Sequence, residues 1–113
     1  MTNNYQPEIG DLIYLDFTPQ SGTEQAGRRP ALVLSAQNFN IATGLAFVCP
    51  ITNQVKGGRF EVHLPPGAKI TGVILSEHIK SLDWLSRNAE FHSRADQATV
   101  DQVLGRILAI MNQ

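Results

Sequence analysis

Alternating apolar and polar positions predict several short β-strands in the first four fifths of the chain. The clearest case is residues 11–17, where Ile13, Leu15 and Phe17 fall on one face of an extended segment. Further strands are predicted over residues 31–35, 45–51, 59–64 and 73–76, with a last short one over 87–91. Residues 81–85 are ambiguous, since Trp84 and Leu85 also fit a short helical turn that covers the core.

One helix is predicted at the end of the chain. Apolar residues recur there at helical spacing, at Val100, Val103, Leu104, Ile107, Leu108 and Met111. Ser93-Arg94-Ala95-Asp96 has the Ser-x-x-acid form of a capping box and predicts that the helix starts at Ser93. Residues 38–44 predict at most one helical turn, ended by Gly44. Residues 18–26 have a turn-forming start and predict a mobile surface loop.

Five or more short strands followed by a terminal helix predict a mainly β fold. The 113 residues form one domain, which we expect to be a small, strongly curved barrel of five to seven strands. Hydrophobic residues make up 42% and charged residues 17%, a composition typical of a globular protein rather than a disordered one.

Several protein classes are excluded on composition. No apolar run is long enough to cross a membrane, and no signal peptide is visible at the start, so a cytoplasmic protein is predicted. Cys49 is the only cysteine, which excludes an intramolecular disulfide, and its apolar surroundings indicate a buried small side chain. His63, His78 and His92 lack the spacing of metal ligands, so neither a metal nor another cofactor is expected.

Positive charge is concentrated in one part of a chain whose net charge is −1. Residues 25–60 contain cations and no acid, whereas residues 1–24 contain acids and no cation. The cations are Arg28, Arg29, Lys56 and Arg59, and the acids are Glu8, Asp11, Asp16 and Glu24. This pattern favours a focused anion site over a generally basic surface.

Three blocks in the same part of the chain carry a family resemblance. They are Gly10-Asp11-Leu12-Ile13, then Glu24-Gln25-Ala26-Gly27-x-Arg29-Pro30-Ala31, and then Pro50-Ile51-Thr52 with Lys56-Gly57. In these blocks and their spacing the chain resembles the MazF/PemK-type endoribonuclease toxins, and the MazF branch most closely. The likeness extends from about Gly10 to the terminal helix.

The resemblance implies an SH3-like barrel with a C-terminal helix, a homodimer, and metal-independent cleavage of single-stranded RNA at short sequences. In such a reaction the 2′-hydroxyl attacks the neighbouring phosphorus and leaves a 2′,3′-cyclic phosphate and a 5′-hydroxyl. The resemblance also implies a type II toxin-antitoxin system. Its cognate antitoxin, expected to be acidic and MazE/PemI-like, would inhibit the enzyme by occupying the RNA groove.

The resemblance places the family's catalytic arginine and threonine at Arg29 and Thr52. A guanidinium matches phosphate geometry and stays charged, so Arg29 is expected to stabilise charge rather than to act as a base. An ion pair of Arg29 with Glu24 or Asp16 is the structural alternative. Glu24 is the nearest candidate for the base and alternatively orients Arg29.

Further residues are predicted to bind RNA. Arg28 and Lys56 are expected phosphate contacts, and Gln25 of the second motif block is assigned to RNA binding as well. Phe17 either stacks on a base, as single-strand binders do, or fills the barrel. Glu77 corresponds to an acidic substrate-site residue of PemK-like members and is predicted to read a base, with His78 beside it.

Two other functions fit the same fold. One is a toxin that inhibits DNA gyrase by binding through the end of its C-terminal helix. Here that end is Ala109-Ile110-Met111-Asn112-Gln113, which lacks the Trp-Gly-Ile type of ending associated with such toxins. The other is an SH3-like interaction module without activity. Incubation with single-stranded RNA in EDTA would separate the three.

Overall fold

Seven antiparallel strands and two α-helices make up the part of the chain that the computed structural model describes, residues 4–17 and 27–112. In chain order they are β1 (Asp11–Phe17), β2 (Gly27–Val33), α1 (Gln37–Thr43), β3 (Leu45–Thr52), β4 (Glu61–His63), β5 (Val73–Leu75), β6 (Lys80–Asp83), β7 (Glu90–Arg94) and α2 (Gln97–Met111). A 3₁₀ turn, Ser76–His78, joins β5 to β6. The predicted fold class, mainly β with a C-terminal helix, is confirmed.

The sheet is organised around β3, which pairs with three other strands. The strand order is β4-β5-β3-β2-β1-β7, and β6 also pairs with β3. The first half of β3 pairs with β6, from Leu45 opposite Asp83 to Val48 opposite Lys80. Its last two residues pair with β5 instead. A strand that exchanges one neighbour for another partway along its length bends the sheet around itself, which gives the strong curvature expected from many short strands.

Both faces of this curved sheet are packed. One cluster of buried side chains lies between the sheet and α2 and comprises Leu12, Leu32, Leu34, Cys49, Ile51, Val62, Ile70, Ile74, Val100, Val103 and Ile107. The other fills the opposite face and comprises Ile13, Leu15, Phe17, Ala31, Val33, Ala46, Val48, Leu82, Trp84 and Ala89. Successive residues of a strand point to opposite faces, so β1 and β2 each supply both clusters.

The start of α2 differs from the prediction. Ser93 lies within β7, and Asp96 is the N-cap, with its carboxylate accepting the Thr99 backbone N–H at 3.1 Å. This hydrogen bond holds the pKa of Asp96 below its ordinary value. The capping-box prediction was wrong by three residues because Ser93 and Arg94 pair with β1 and are therefore extended.

The bounds of several strands also differ from those predicted from the sequence. β2 starts at Gly27 rather than at residue 31, because Gly27 and the two arginines pair with the end of β1. The ambiguous segment around Trp84 contains a strand, β6, and then a turn that includes Asn88 at φ 56°. Because of that turn, β7 begins at Glu90 rather than at residue 87. The predicted mobility of the loop before Gly27 concerns residues 18–26, which lie outside the described residues. In the described residues, neither helix has the length and apolar character needed to cross a membrane.

Candidate active site

The start of β2 and the end of β3 bring Arg29 and Thr52 to the same edge of the sheet. Ala31 of β2 lies opposite Pro50 of β3 in an antiparallel pair. Continued by two residues, this register sets Arg29 opposite Thr52, although the ladder itself ends at Ala31. Twenty-two residues of sequence, including α1, therefore separate two side chains that the sheet makes neighbours.

Arg29 and Thr52 line one open cavity of about 280 Å³. The remaining lining residues come from β1, from β2, from the end of β3 and from the segment before β5: Tyr14, Pro30, Ile51, Asn53, Lys69, Ile70 and Thr71. Among the described residues, none of the lining side chains is a carboxylate. The cavity is therefore suited to an anionic group, as the concentration of cations in the sequence indicated.

A second cavity of about 190 Å³ shares Thr52 with the first. It is lined by Thr52, Gln54, Lys56, Glu61, Leu75, Glu77 and His78. Three predicted RNA-binding residues, Lys56, Glu77 and His78, thus lie together here although they come from two distant parts of the chain. Thr52 belongs to both cavities, and we call the two together the Thr52 groove.

The hydroxyl of Thr52 has one hydrogen-bond partner fixed by the backbone. The Gln54 backbone N–H donates to Thr52 Oγ1 at 3.1 Å. A hydroxyl that accepts in this way keeps its own proton to donate elsewhere. Thr52 is 8% exposed, so that proton is available only at the floor of the groove. This arrangement can donate one hydrogen bond to an oxygen bound beside Arg29.

Glu61 organises the turn that carries Lys56. Its two carboxylate oxygens accept the backbone N–H groups of Lys56 and Gly57 at 3.1 and 3.0 Å. Gly57 has φ 78°, a conformation that favours glycine. The carboxylate of Glu61 is therefore occupied in shaping the loop, whereas Glu77 is exposed at the end of β5.

Arg28 does not join its neighbour Arg29 in the cavity. Its guanidinium forms ion pairs with Asp16 at 3.1 Å and Glu90 at 3.0 Å, and donates to the Asn88 carbonyl. The Asn88 side-chain amide and Arg28 together hold the pKa of Asp16 below its ordinary value. Adjacent strand residues point to opposite faces, which separates the two arginines. Arg28 thus ties β1, β2 and the β7 edge together, and its phosphate contact stays a prediction.

Phe17 likewise fills the barrel instead of facing a ligand. It is 3% exposed and belongs to the cluster with Leu15 and Trp84. Of the two roles expected for Phe17, burial supports core packing and leaves no ring face open for a base. Two further predicted site residues, Glu24 and Gln25 of the second motif block, lie outside the described residues.

Several residues of the groove were not predicted from the sequence. Tyr14, Asn53, Lys69 and Thr71 line the first cavity, and Glu61 lines the second. Tyr14 also contacts the ring of His92 edge-on, at 5.7 Å between centroids. The one available signal was the charge of Lys69, but its place beside Arg29 depends on the β3–β5 pairing.

Neither the cysteine nor the histidines form a reactive cluster. Within the described residues no three side chains of the His, Cys, Asp and Glu types come together as metal ligands. Cys49 is fully buried, and burial raises the pKa of its thiol to about 12. Its interpretation as a small core side chain is confirmed.

Comparisons with known proteins bear on what this groove does. The PemK-like, MazF-like toxins of type II toxin-antitoxin systems are the family whose model matches, over residues 8–111. The endoribonuclease toxin MazF of Escherichia coli strain K12 is 47% identical over 89 residues, 79% of either chain. MazF of Deinococcus radiodurans superposes with a TM-score of 0.92 at 45% identity, over 97% of this chain and 100% of the other. A chain of the MazE–MazF complex from that organism superposes with a TM-score of 0.86 at 41% identity, over 97% and 99%.

The family match, over residues 8–111, includes β2 and the end of β3, which carry Arg29 and Thr52. The named relatives are endoribonucleases, so they favour the enzyme over a gyrase-binding toxin or an inactive interaction module. The chain therefore belongs to the PemK-like, MazF-like toxins of type II toxin-antitoxin systems, within the MazF branch, and is an endoribonuclease toxin.

Proposed function

We propose that this endoribonuclease cleaves single-stranded RNA without a metal ion, by attack of a ribose 2′-hydroxyl on the adjacent phosphorus. The observation that carries the proposal is that Arg29 and Thr52 line one cavity whose described lining contains no carboxylate. As the bond from the 2′-oxygen to phosphorus forms, the bond to the 5′-oxygen breaks. The 2′-hydroxyl loses a proton to a base, and the leaving oxygen takes one up. The products are a 2′,3′-cyclic phosphate and a 5′-hydroxyl.

In this reaction Arg29 stabilises the negative charge that grows on the non-bridging phosphate oxygens. A planar guanidinium binds two oxygens at once and stays protonated at every relevant pH, so it needs no rearrangement as charge develops. The half-buried side chain of Arg29 lies at the wall of the cavity. Its environment therefore strengthens the attraction relative to that of a fully solvated cation.

Thr52 supplies a neutral donor on the same phosphate. Its oxygen is held by the Gln54 N–H, so the free proton is directed without a large entropic cost on binding. Glu24 is the carboxylate nearest to Arg29 in the sequence, and we assign to it the role of base. A Glu24→Gln variant tests that role, because it removes the proton acceptor and keeps the shape of the side chain.

The second cavity is proposed to hold a base next to the cleaved bond. Glu77 offers an acceptor to an amino or imino group, and Lys56 offers a cation to a phosphate or a base carbonyl. His78 lies beside them and can stack or hydrogen-bond. Because the groove is open, an unpaired strand can enter it, whereas an A-form duplex presents its base edges in grooves too narrow or too shallow for this pocket.

The pairing of this toxin with a cognate antitoxin follows from its family, and the relative from Deinococcus radiodurans is solved as a MazE–MazF complex. We propose that the antitoxin inhibits by occupying the Thr52 groove. An acidic, flexible segment that folds on binding would match the cations of the groove, Arg29, Lys56 and Lys69.

A homodimer is also proposed. The last turns of α2 expose apolar side chains, with Leu108 at 58% and Met111 at 71%. Apolar groups that one barrel leaves uncovered fit an isologous interface with a second copy. Light scattering should give a dimer mass for the wild type and a monomer mass for Leu108→Glu. A monomeric wild type would exclude this part of the proposal.

The central experiment is a cleavage assay in EDTA. A long single-stranded RNA should be cut, and the fragments should carry 2′,3′-cyclic phosphate and 5′-hydroxyl ends. A matched oligonucleotide with one 2′-deoxy residue 5′ to the scissile phosphate should bind and remain intact, because the nucleophile is missing. Cleavage of the deoxy oligonucleotide, or activity that EDTA abolishes, would contradict the mechanism.

A further inference from the structure

The cavity that holds Arg29 and Thr52 has a second wall with its own donor groups. β3 is flanked by β2 on one side and by β5 on the other at its end. Arg29 comes from β2, whereas Lys69 and Thr71 come from the segment that leads into β5. Asn53 follows Thr52 directly and lines the same cavity. Donors therefore reach the cavity from both sides of Thr52.

Thr71 sets the orientation of the Asn53 amide. Its hydroxyl donates to Asn53 Oδ1 at 3.1 Å, so the amide oxygen is engaged and the amide nitrogen is directed elsewhere. Among the described residues, Asn53 Nδ2 makes no hydrogen bond, and the side chain is exposed where it lines the cavity. Two N–H donors are thus available in a fixed direction.

Lys69 adds a charge to this wall. It is exposed, lines the cavity, and has no ion pair among the described residues. Arg28, in contrast, is held by two carboxylates. A cation and an oriented amide, on a wall that has no acid among its described residues, recognise an anionic or strongly accepting oxygen. In a nucleic acid those oxygens belong to the sugar–phosphate backbone, which supplies most of the contacts that position a strand.

We propose that Asn53, Lys69 and Thr71 form a second substrate site, which binds the backbone phosphate adjoining the scissile one. The inference rests on the proposed RNA cleavage and extends it. Lys69 and Asn53 contact the flanking phosphate directly, and Thr71 is a positioning residue that acts through Asn53. By holding the strand on both sides of Thr52, this site keeps the scissile phosphate in register with Arg29.

The test uses the uncleavable RNA with a single 2′-deoxy residue at the scissile position. In a series of such oligonucleotides, one flanking phosphate at a time is replaced by a neutral methylphosphonate. Lys69→Gln is compared with Arg59→Gln, which removes the same charge from an exposed residue that lines neither cavity. Kd and its salt dependence are measured for each protein with these oligonucleotides, and steady-state kinetics are measured with the all-ribose RNA of the same sequence.

Lys69→Gln should weaken binding roughly two- to fivefold, the loss of one exposed charge-assisted contact, and reduce the salt slope by about 0.7. KM should rise while kcat stays close to wild type, which separates this residue from Arg29. One particular methylphosphonate should weaken wild-type binding by at least the same factor and have a clearly smaller effect on Lys69→Gln, in which only the Asn53 contact remains. Arg59→Gln should remain sensitive to that replacement.

Asn53 and Thr71 are tested by a double-mutant cycle. Asn53→Ala and Thr71→Val should each raise Kd, and the double variant should lose little more than Asn53→Ala alone, because Thr71 acts through the amide. Additive losses would contradict the positioning role of Thr71. Equal behaviour of Lys69→Gln and Arg59→Gln, with normal wild-type cleavage, would overturn the second site and leave the proposed function intact. A wild type that neither binds nor cleaves RNA would overturn both.

Discussion

Gly72 lies against the backbone of Thr52 so closely that no other residue fits. A Cβ at Gly72 would stand 2.4 Å from the Thr52 carbonyl oxygen and 2.9 Å from its carbonyl carbon. Gly72 also has φ 118°, which side chains of L-residues rarely adopt. It precedes Val73, the residue paired with Thr52 in the β3–β5 ladder. The position of the proposed catalytic threonine therefore depends on a glycine outside both cavities.

Gly72→Ala should lower the free energy of unfolding by roughly 3 kcal/mol, since it combines backbone strain with a clash against a carbonyl. Any folded fraction should have a displaced Thr52 and reduced kcat. Gly67→Ala is the matched control: φ is 89° there, but a Cβ would meet nothing within 4 Å. It should cost about 1 kcal/mol and leave kcat unchanged. Chemical denaturation measures the free energy of unfolding of both variants, and cleavage assays measure kcat. Equal losses in the two variants would contradict the idea that the close approach of Gly72 to Thr52 is what matters.

Arg29 and Arg28 are adjacent in sequence and should behave differently. Arg29→Ala should fold normally and lose cleavage by about 10²-fold or more, as expected for a preorganised charge donor. Arg29→Lys should recover only part of the rate, because an ammonium does not bind two phosphate oxygens in the same way.

Arg28→Ala is the control for this pair. It should leave kcat near wild type and lower the free energy of unfolding by no more than about 1 kcal/mol, since its ion pairs are largely exposed. Single-turnover cleavage measures the first effect and urea denaturation the second. A rate loss in Arg28→Ala that matches the loss in Arg29→Ala would contradict the assignment of the two side chains to different faces.

Thr52→Val should keep the strand and remove the hydroxyl. The expected loss in kcat is about 10²-fold, the value typical of one donor to a developing oxyanion. Thr52→Ser keeps the hydroxyl and its acceptor for the Gln54 N–H, and should retain most of the activity. Full activity in Thr52→Val would exclude a chemical role for the hydroxyl.

The N-cap of α2 supplies a stability test with a defined pH dependence. Asp96→Ala should lower the free energy of unfolding at pH 7, whereas Ser93→Ala should have little effect, since Ser93 lies in β7. The pKa of Asp96 is lowered in the folded protein by its bond to Thr99. Its contribution is therefore present above the ordinary carboxyl pKa and is lost as pH falls through the lower folded value. The difference between wild type and Asp96→Ala should shrink below about pH 4, and a constant difference would contradict the capping role.

Antitoxin and RNA should exclude one another if both use the Thr52 groove. Titrating the uncleavable RNA into the toxin–antitoxin complex should release the antitoxin's binding segment, and both affinities should fall as salt rises. Arg29→Ala should lower the affinity of the toxin for both the RNA and the antitoxin. A ternary complex with RNA bound beside Arg29 at full occupancy would rule out competition for the groove.

The sequence by itself determined most of the strands, the terminal helix and part of the site. Alternation over β1 predicted its bounds correctly, and the terminal apolar stripe predicted α2, because burial on one face leaves a periodic trace in sequence. The concentration of cations before and after β3 indicated an anion site. The motif blocks pointed to Arg29 and Thr52, which line one cavity in the structure.

Only the tertiary structure decided on which face of the sheet each of these side chains lies. Arg28 and Arg29 have the same chemistry, and only the pairing of β2 with β1 and the nearby β7 edge ties one of them to Asp16 and Glu90. The sequence allowed Phe17 either to stack on a base or to fill the core, and in the curved sheet it is buried. Lys69 and Thr71 reach the cavity because β5 pairs with the end of β3. Composition and local periodicity carry no information on such long-range pairing, which depends on packing between segments far apart in the chain.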